Sequence, residues 1–173
     1  MTREEIIKAL ERLNDKLTVI GKTGELCVFG GSAMMLLFNA RKTTKDVDAI
    51  FSPTQEIRKL AEEVGMEFQL PKAWLNDGIK GFLSDNHQTG SAGMPQYSNL
   101  RITAPTPEYL LAMKCMASRI GIGERDEEDI GFLLGKMKID SVEKALSIVS
   151  EFFPPERVPV KCQYLLAEIL QKT

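Results

Sequence analysis

Two aspartates separated by one residue, Asp46 and Asp48, follow a Gly30-Gly31-Ser32 triplet with thirteen residues between. In an extended strand alternate residues share a face, so Asp46-Val47-Asp48 projects both carboxylates the same way and turns Val47 into a core. Two carboxylates about 4 Å apart repel by roughly 4 kcal/mol at an effective dielectric near 20. Either one takes up a proton or a cation lies between them. Magnesium, or manganese, suits such a pair, because a hard divalent cation takes carboxylate oxygens and completes its shell with substrate phosphates. The glycines supply the complementary half. At a strand-to-helix turn they let backbone N–H groups come close to a ligand. The N-terminus of the following helix carries partial positive charge and unpaired donors, and Ser32 adds a hydroxyl. A phosphate grip beside a cation-binding carboxylate pair is equipment for moving a nucleotidyl group from a nucleoside triphosphate to an acceptor.

The elements that must hold these residues are readable from periodicity. Glu25 to Phe29 is a short apolar run and reads as a strand. Ser32 to Ala40 reads as a helix, and Asp46 to Phe51 alternates as a second strand. Ahead of them, Ile6, Ile7, Leu10, Leu13 and Leu17 have helical spacing, with Thr2 and Glu5 as a capping box. Ser52-Pro53-Thr54-Gln55 predicts a helix capped by Ser52 and running to about Val64. Met66 to Leu70 reads as extended, and Trp74 to Asp77 as the start of a short helix. Residues 84–98 form a polar loop, of a length that is commonly functional or mobile, before a strand over Leu100–Ala104. Helices follow: one from Thr106-Pro107 with Leu110, Met113, Ala117 and Ile120 inward, broken at Gly121 and Gly123, and one over Arg125–Met137. A third is capped by Asp140 and Glu143 and runs to about Phe153, and a last covers Val160–Leu170. The fold class is α+β: a small mixed sheet with flanking helices in residues 1–104, and a helical portion in 105–173 packed on that core.

From Phe29 to Ile50 the chain has a hydrophobic residue, two glycines, a helix and Asp-hydrophobic-Asp on a strand. This resembles the signature of the DNA polymerase beta type nucleotidyltransferases. Gly30–Ala33, Thr43–Ala49, Trp74–Asp77 and Pro107–Ile130 are similar to phrases of a compact nucleotidyltransferase-like family related to the AbiEii-type toxins of bacterial toxin–antitoxin systems. The resemblance covers roughly residues 25–135. It implies that Lys114 and Asp129, with Asp126 one turn earlier, also face the active site. By helical spacing, Lys114 and Asp129 border their apolar stripes rather than oppose them. It further implies an RNA (tRNA) or protein acceptor and a cognate toxin or antitoxin. The polymerase beta type usually brings a third carboxylate from a later strand. Leu100–Ala104 offers only Arg101, leaving Asp77 and Asp85 as substitutes, so a single-metal site fits better.

Composition bounds the alternatives. Hydrophobic residues make up 43% and charged residues 27% of 173, with a net charge of −2, as in an ordinary globule rather than a protein that coats nucleic acid. Cys27, Cys115 and Cys162 are far apart and odd in number, and read as free thiols. His87 is the sole histidine, which excludes a histidine cluster. No run is long enough to span a membrane, and the charged N-terminus lacks a secretory core, so the expected compartment is the cytoplasm. Arg41, Lys42 and Lys45 read as loop charges or as contacts to a polyanion, and Arg119 and Arg125 as surface ion-pair formers. Met34, Met35, Met113 and Met116 read as core, and Trp74 as core or a lid anchor. Two functions remain: a magnesium-dependent nucleotidyltransferase, and a degenerate binding module, antitoxin or adaptor, on the same fold. A cleft filled by Trp74 or by residues 84–98 would favour the module.

Overall fold

The computed structural model describes residues 1–117 and 125–172. The predicted break at Gly121 and Gly123, with Ile120 and Arg119, lies outside the described residues. The chain divides into two compact units: Met1–Gly81 with Thr89–Ala104, and Phe82–Gln88 with Pro105–Thr173.

The first unit is a mixed sheet with helices. Its elements are α1 (Arg3–Val19), β1 (Gly24–Val28), α2 (Gly30–Phe38), β2 (Val47–Ser52), α3 (Thr54–Glu67), β3 (Leu75–Asn76), β4 (Thr89–Gly90) and β5 (Leu100–Pro105), with a 3-10 helix over Gly78–Phe82; the last residue of β5 and of the 3-10 helix belongs to the second unit. The strand order is β3-β2-β1-β5-β4. β1 is antiparallel to β2 and parallel to β5, and β2 is parallel to β3. The α+β class and the small mixed sheet are therefore as expected. The capping box forms as read: Glu5 N–H donates to the Thr2 hydroxyl, and Thr2 N–H to the Glu5 carboxylate.

The sheet has two unlike faces. Leu26, Val28, Ala49 and Ile102 are buried on one, where Leu17 of α1 and Ile57 of α3 close over Gly24. Ladder pairs share a face, so Glu25, Cys27, Asp48, Ile50, Ser52, Arg101 and Thr103 lie on the other, exposed or half-buried. α1 and α3 are joined along their outer edges by Arg12–Glu67 (2.7 Å), Lys16–Glu63 (2.9 Å) and Lys16–Glu67 (2.7 Å). The two cations, Arg12 foremost, hold the Glu67 carboxyl at about 2.

Several local expectations need correction. Ser52 is the last residue of β2, opposite Glu25, so Pro53 takes the N-cap position of α3 and supplies no side-chain cap. α3 continues past Gly65 to Glu67, and Met66–Leu70 is its end and a turn rather than an extended segment. The helix survives its glycine because Trp74 occupies the space: a Cβ on Gly65 would stand 3.1 Å from the indole Cδ1. The indole is buried, and its N–H donates to the Ala61 carbonyl at 2.8 Å. Trp74 is thus a core anchor. Gly to Ala in a helix interior ordinarily gains about 0.5–1 kcal/mol. Here the ring is pinned and cannot retreat, so Gly65→Ala is expected to lower the melting temperature; a rise in thermal melts would refute this packing.

The stretch Trp74–Asp77 is not a helix start. Leu75 and Asn76 form β3, in register with Val47 and Asp48. The polar loop 84–98 is anchored at both ends. Ser84 N–H donates to the Tyr109 hydroxyl at 3.0 Å and Asn86 Nδ2 to the Glu151 carbonyl at 3.0 Å, within the second unit. Met94 is buried, and Tyr97 Oη donates to the Ile7 carbonyl at 3.3 Å, within the first.

The second unit holds α4 (Pro107–Ala117), α5 (Asp126–Met137), α6 (Val142–Phe152) and α7 (Val160–Lys172). α4 is buried continuously from Tyr109 to Cys115, whereas Ala117, expected inward, is exposed. Tyr109 stacks on Phe152 with ring centroids 4.8 Å apart. The cap of α6 is Ser141, whose hydroxyl accepts from Lys144 N–H at 3.3 Å, and not Asp140 or Glu143. None of the three cysteines is in a disulfide, and the Cys115 thiol is pushed up by its hydrogen bond with Cys162 and by burial. Among the described residues no helix is long and apolar enough to cross a membrane.

Candidate active site

The site is assembled where β1 hands over to α2. Phe29 N–H donates to the Asp48 carbonyl at 2.8 Å, which carries the β1–β2 ladder one residue beyond the strand. Gly30 then bends the chain with φ +60°, a conformation that costs other residues roughly 1–2 kcal/mol. A Cβ there would also stand 3.2 Å from Asp48 Oδ2, so the carboxylate lies directly against the bend. Gly30→Ala is accordingly expected to lose about 1–2 kcal/mol of stability, measured by urea unfolding; an unchanged midpoint would show that the bend tolerates a side chain.

Gly31 leaves room for a neighbouring side chain. A Cβ on it would lie 2.7 Å from Arg41 Nη1 and 3.3 Å from Thr44 Oγ1. Asn39, in the left-handed region, ends α2, and Ala40 N–H bonds back to the Met34 carbonyl. The returning chain lays the half-buried Arg41 guanidinium over the first turn of the helix. Arg41 is therefore part of the site, whereas Lys42 and Lys45 are exposed. Ser32 is buried, and its hydroxyl donates to the Phe29 carbonyl at 2.8 Å. A hydroxyl has one proton, and in this structure it locks the bend from within.

Asp46 and Asp48 lie on the more open face of the sheet, and both are half-buried. Asp46 Oδ2 accepts from Asn76 Nδ2 at 3.2 Å. Asn76 was not singled out by the sequence, although it falls within the Trp74–Asp77 phrase. A two-residue strand has no periodicity to betray it. β3 is the strand beside the carboxylates, and it brings an amide rather than an acid. β5 runs on the far side of β1, where Arg101 pairs with Glu25 at 3.6 Å. Asp77 is committed to Lys80 (2.6 Å) and Arg58 (2.9 Å), which hold its carboxyl below the usual range, Lys80 foremost. Asp85, in the second unit, is exposed. Trp74, buried against α3, does not fill the site.

Lys114, Asp126 and Asp129 meet within the second unit. Lys114 Nζ lies 2.7 Å from Asp126 Oδ1 and 2.8 Å from Asp129 Oδ2. The lysine and Asp129 are both buried. The helical spacing placed both residues at the edge of an apolar stripe; their mutual pairing is what lets them sink beneath it.

The ligand set of the first unit is hard oxygen, the carboxylates of Asp48 in β2 and of Asp46 just ahead of it, with backbone N–H groups and a guanidinium at the adjoining helix start. Among the described residues no group of three His, Cys, Asp or Glu residues is placed to hold a metal. Two carboxylates suit magnesium, which keeps water and substrate oxygens in its remaining positions. No curated protein and no solved structure matches the chain. A family model does match over residues 5–153, and the protein therefore belongs to the family described as nucleotidyltransferase of unknown function (DUF6036).

Proposed function

We propose that the protein is a magnesium-dependent nucleotidyltransferase acting on a nucleoside triphosphate. The observation that carries this reading is the seating of the Asp48 carboxylate against the Gly30 bend; a cation held there would stand beside the backbone N–H groups of a helix start, which suit a phosphate. Asp46 and Asp48 would hold the ion, which supplies charge neutralisation on the reacting phosphoryl oxygens. The first turn of α2 and Arg41 bind and orient the triphosphate. An acceptor hydroxyl oxygen forms a bond to the α-phosphorus, the bond from that phosphorus to the bridging oxygen breaks, and pyrophosphate leaves. The acceptor's proton passes to solvent.

The resemblance to AbiEii-type toxins supports an RNA end, such as that of tRNA, or a protein side chain as the acceptor, and a toxin–antitoxin setting. It also implies roles in the reaction for Lys114 and Asp129. Their mutual pairing supports an architectural role instead: the ammonium is held between two carboxylates. The test is incubation of the full chain with α-labelled nucleotides, magnesium, and total tRNA or lysate. Label should move to one acceptor class and should stop when magnesium is chelated. If no label moves, and no magnesium-dependent nucleotide binding is lost in Asp46→Asn, the reading fails. A stable partner complex indifferent to both aspartates would then favour the binding module.

A further inference from the structure

We propose that Asn76 limits this site to one divalent cation, by placing an amide where a third carboxylate would complete a two-cation cluster. The proposal rests on the reading of Asp46 and Asp48 as cation ligands. β2 and β3 are parallel, with Asp48 opposite Asn76, so the amide shares the face of the two carboxylates. Its orientation is fixed from both sides. Nδ2 donates to Asp46 Oδ2 at 3.2 Å, and Oδ1 accepts from Gly78 N–H at 3.0 Å. A carboxylate can only accept and a backbone N–H can only donate, so the flipped amide would lose both bonds.

The N–H side of the amide therefore faces Asp46, and its oxygen is turned toward Gly78. A cation approaching between Asp46 and Asn76 would meet amide hydrogens rather than an oxygen. The same bond holds Asp46 in one orientation, a supporting contact of the kind that tunes metal sites. Among the described residues no group of three His, Cys, Asp or Glu residues is placed to hold a metal. Asp77, the next residue, is ion-paired to Arg58 and Lys80. Asparagine and aspartate have nearly the same shape, so Asn76→Asp changes the ligand chemistry while keeping the volume.

The experiment counts manganese(II) alone bound to the full-length chain, from the electron paramagnetic resonance signal of the free ion, with no nucleotide present. The wild type should bind one equivalent and Asn76→Asp two. Asn76→Ala should keep one, about tenfold weaker. Two equivalents in the wild type, or one in a folded Asn76→Asp, would overturn the proposal and leave the reading of the aspartates standing. No binding in the wild type, or binding retained by the Asp46→Asn/Asp48→Asn double variant, would overturn both. If circular dichroism shows Asn76→Asp unfolded, Asn76→Ala decides: weaker binding at unchanged count supports the proposal, and unchanged affinity overturns it.

Discussion

Replacing Asp48 by asparagine is expected to cut nucleotidyl transfer by about 10³-fold while the chain stays folded. Asp48 is half-buried and lies against the Gly30 bend, its Oδ2 3.2 Å from where a Cβ would stand. The isosteric amide fits the same space, so the loss isolates charge from shape. In a transfer that leaves pyrophosphate, much of the barrier is charge on phosphoryl oxygens, and removing one preorganised electrostatic contact typically costs 10²–10³-fold or roughly 3–4 kcal/mol. Loss of a cation ligand belongs at the upper end. Asp46→Asn should act similarly, with the Asn76 contact weakened as well because a neutral amide replaces a charged acceptor. Single-turnover rates at saturating magnesium check this, with thermal melts run in parallel. Transfer within tenfold of wild type in either variant would remove these aspartates from the chemistry.

The second large effect lies in the helical unit. Lys114→Met should destabilise the protein by about 3–5 kcal/mol. Methionine preserves the volume but strips the ammonium from Asp126 and from Asp129, which is 2% exposed. A buried carboxylate that loses its cation is far costlier than the original pair was favourable. The combined variant Lys114→Met/Asp126→Asn/Asp129→Asn should recover much of the loss, because it removes the charges along with their partner. Urea unfolding measures both. A single variant as stable as wild type would show that the three groups are not energetically coupled, and would reopen a role for Lys114 toward substrate.

These cases show how far the sequence could be read. The Gly30-Gly31 bend and the Asp46/Asp48 strand were legible because their message is local: a period of two, a glycine pair and an interval fit for one helix. α1 was legible down to its Thr2–Glu5 capping box for the same reason. What escaped was decided by distant partners. β3 is two residues long and exists because Val47 and Asp48 run beside it. Nothing near Gly65 announces that an indole nine positions later will fill its place and let the helix continue. Arg41 looked like one of three loop cations until the return from α2 laid it over Gly31. Lys114 and Asp129 were read at the edges of their apolar stripes, but sequence spacing could not show that they answer each other.

The interleaving of the two units bears on how this gene can be cut. The chain leaves the first unit after Gly81, spends Phe82–Gln88 in the second, returns at Thr89 and departs again after Ala104. No single stop codon separates them. A fragment ending at 104 would carry a heptapeptide whose anchors, Tyr109, Glu151 and Phe152, had been discarded. The complementary fragment would lack the strand of chain that those anchors grip. Either half expressed alone would therefore be missing packing that only the continuous chain provides.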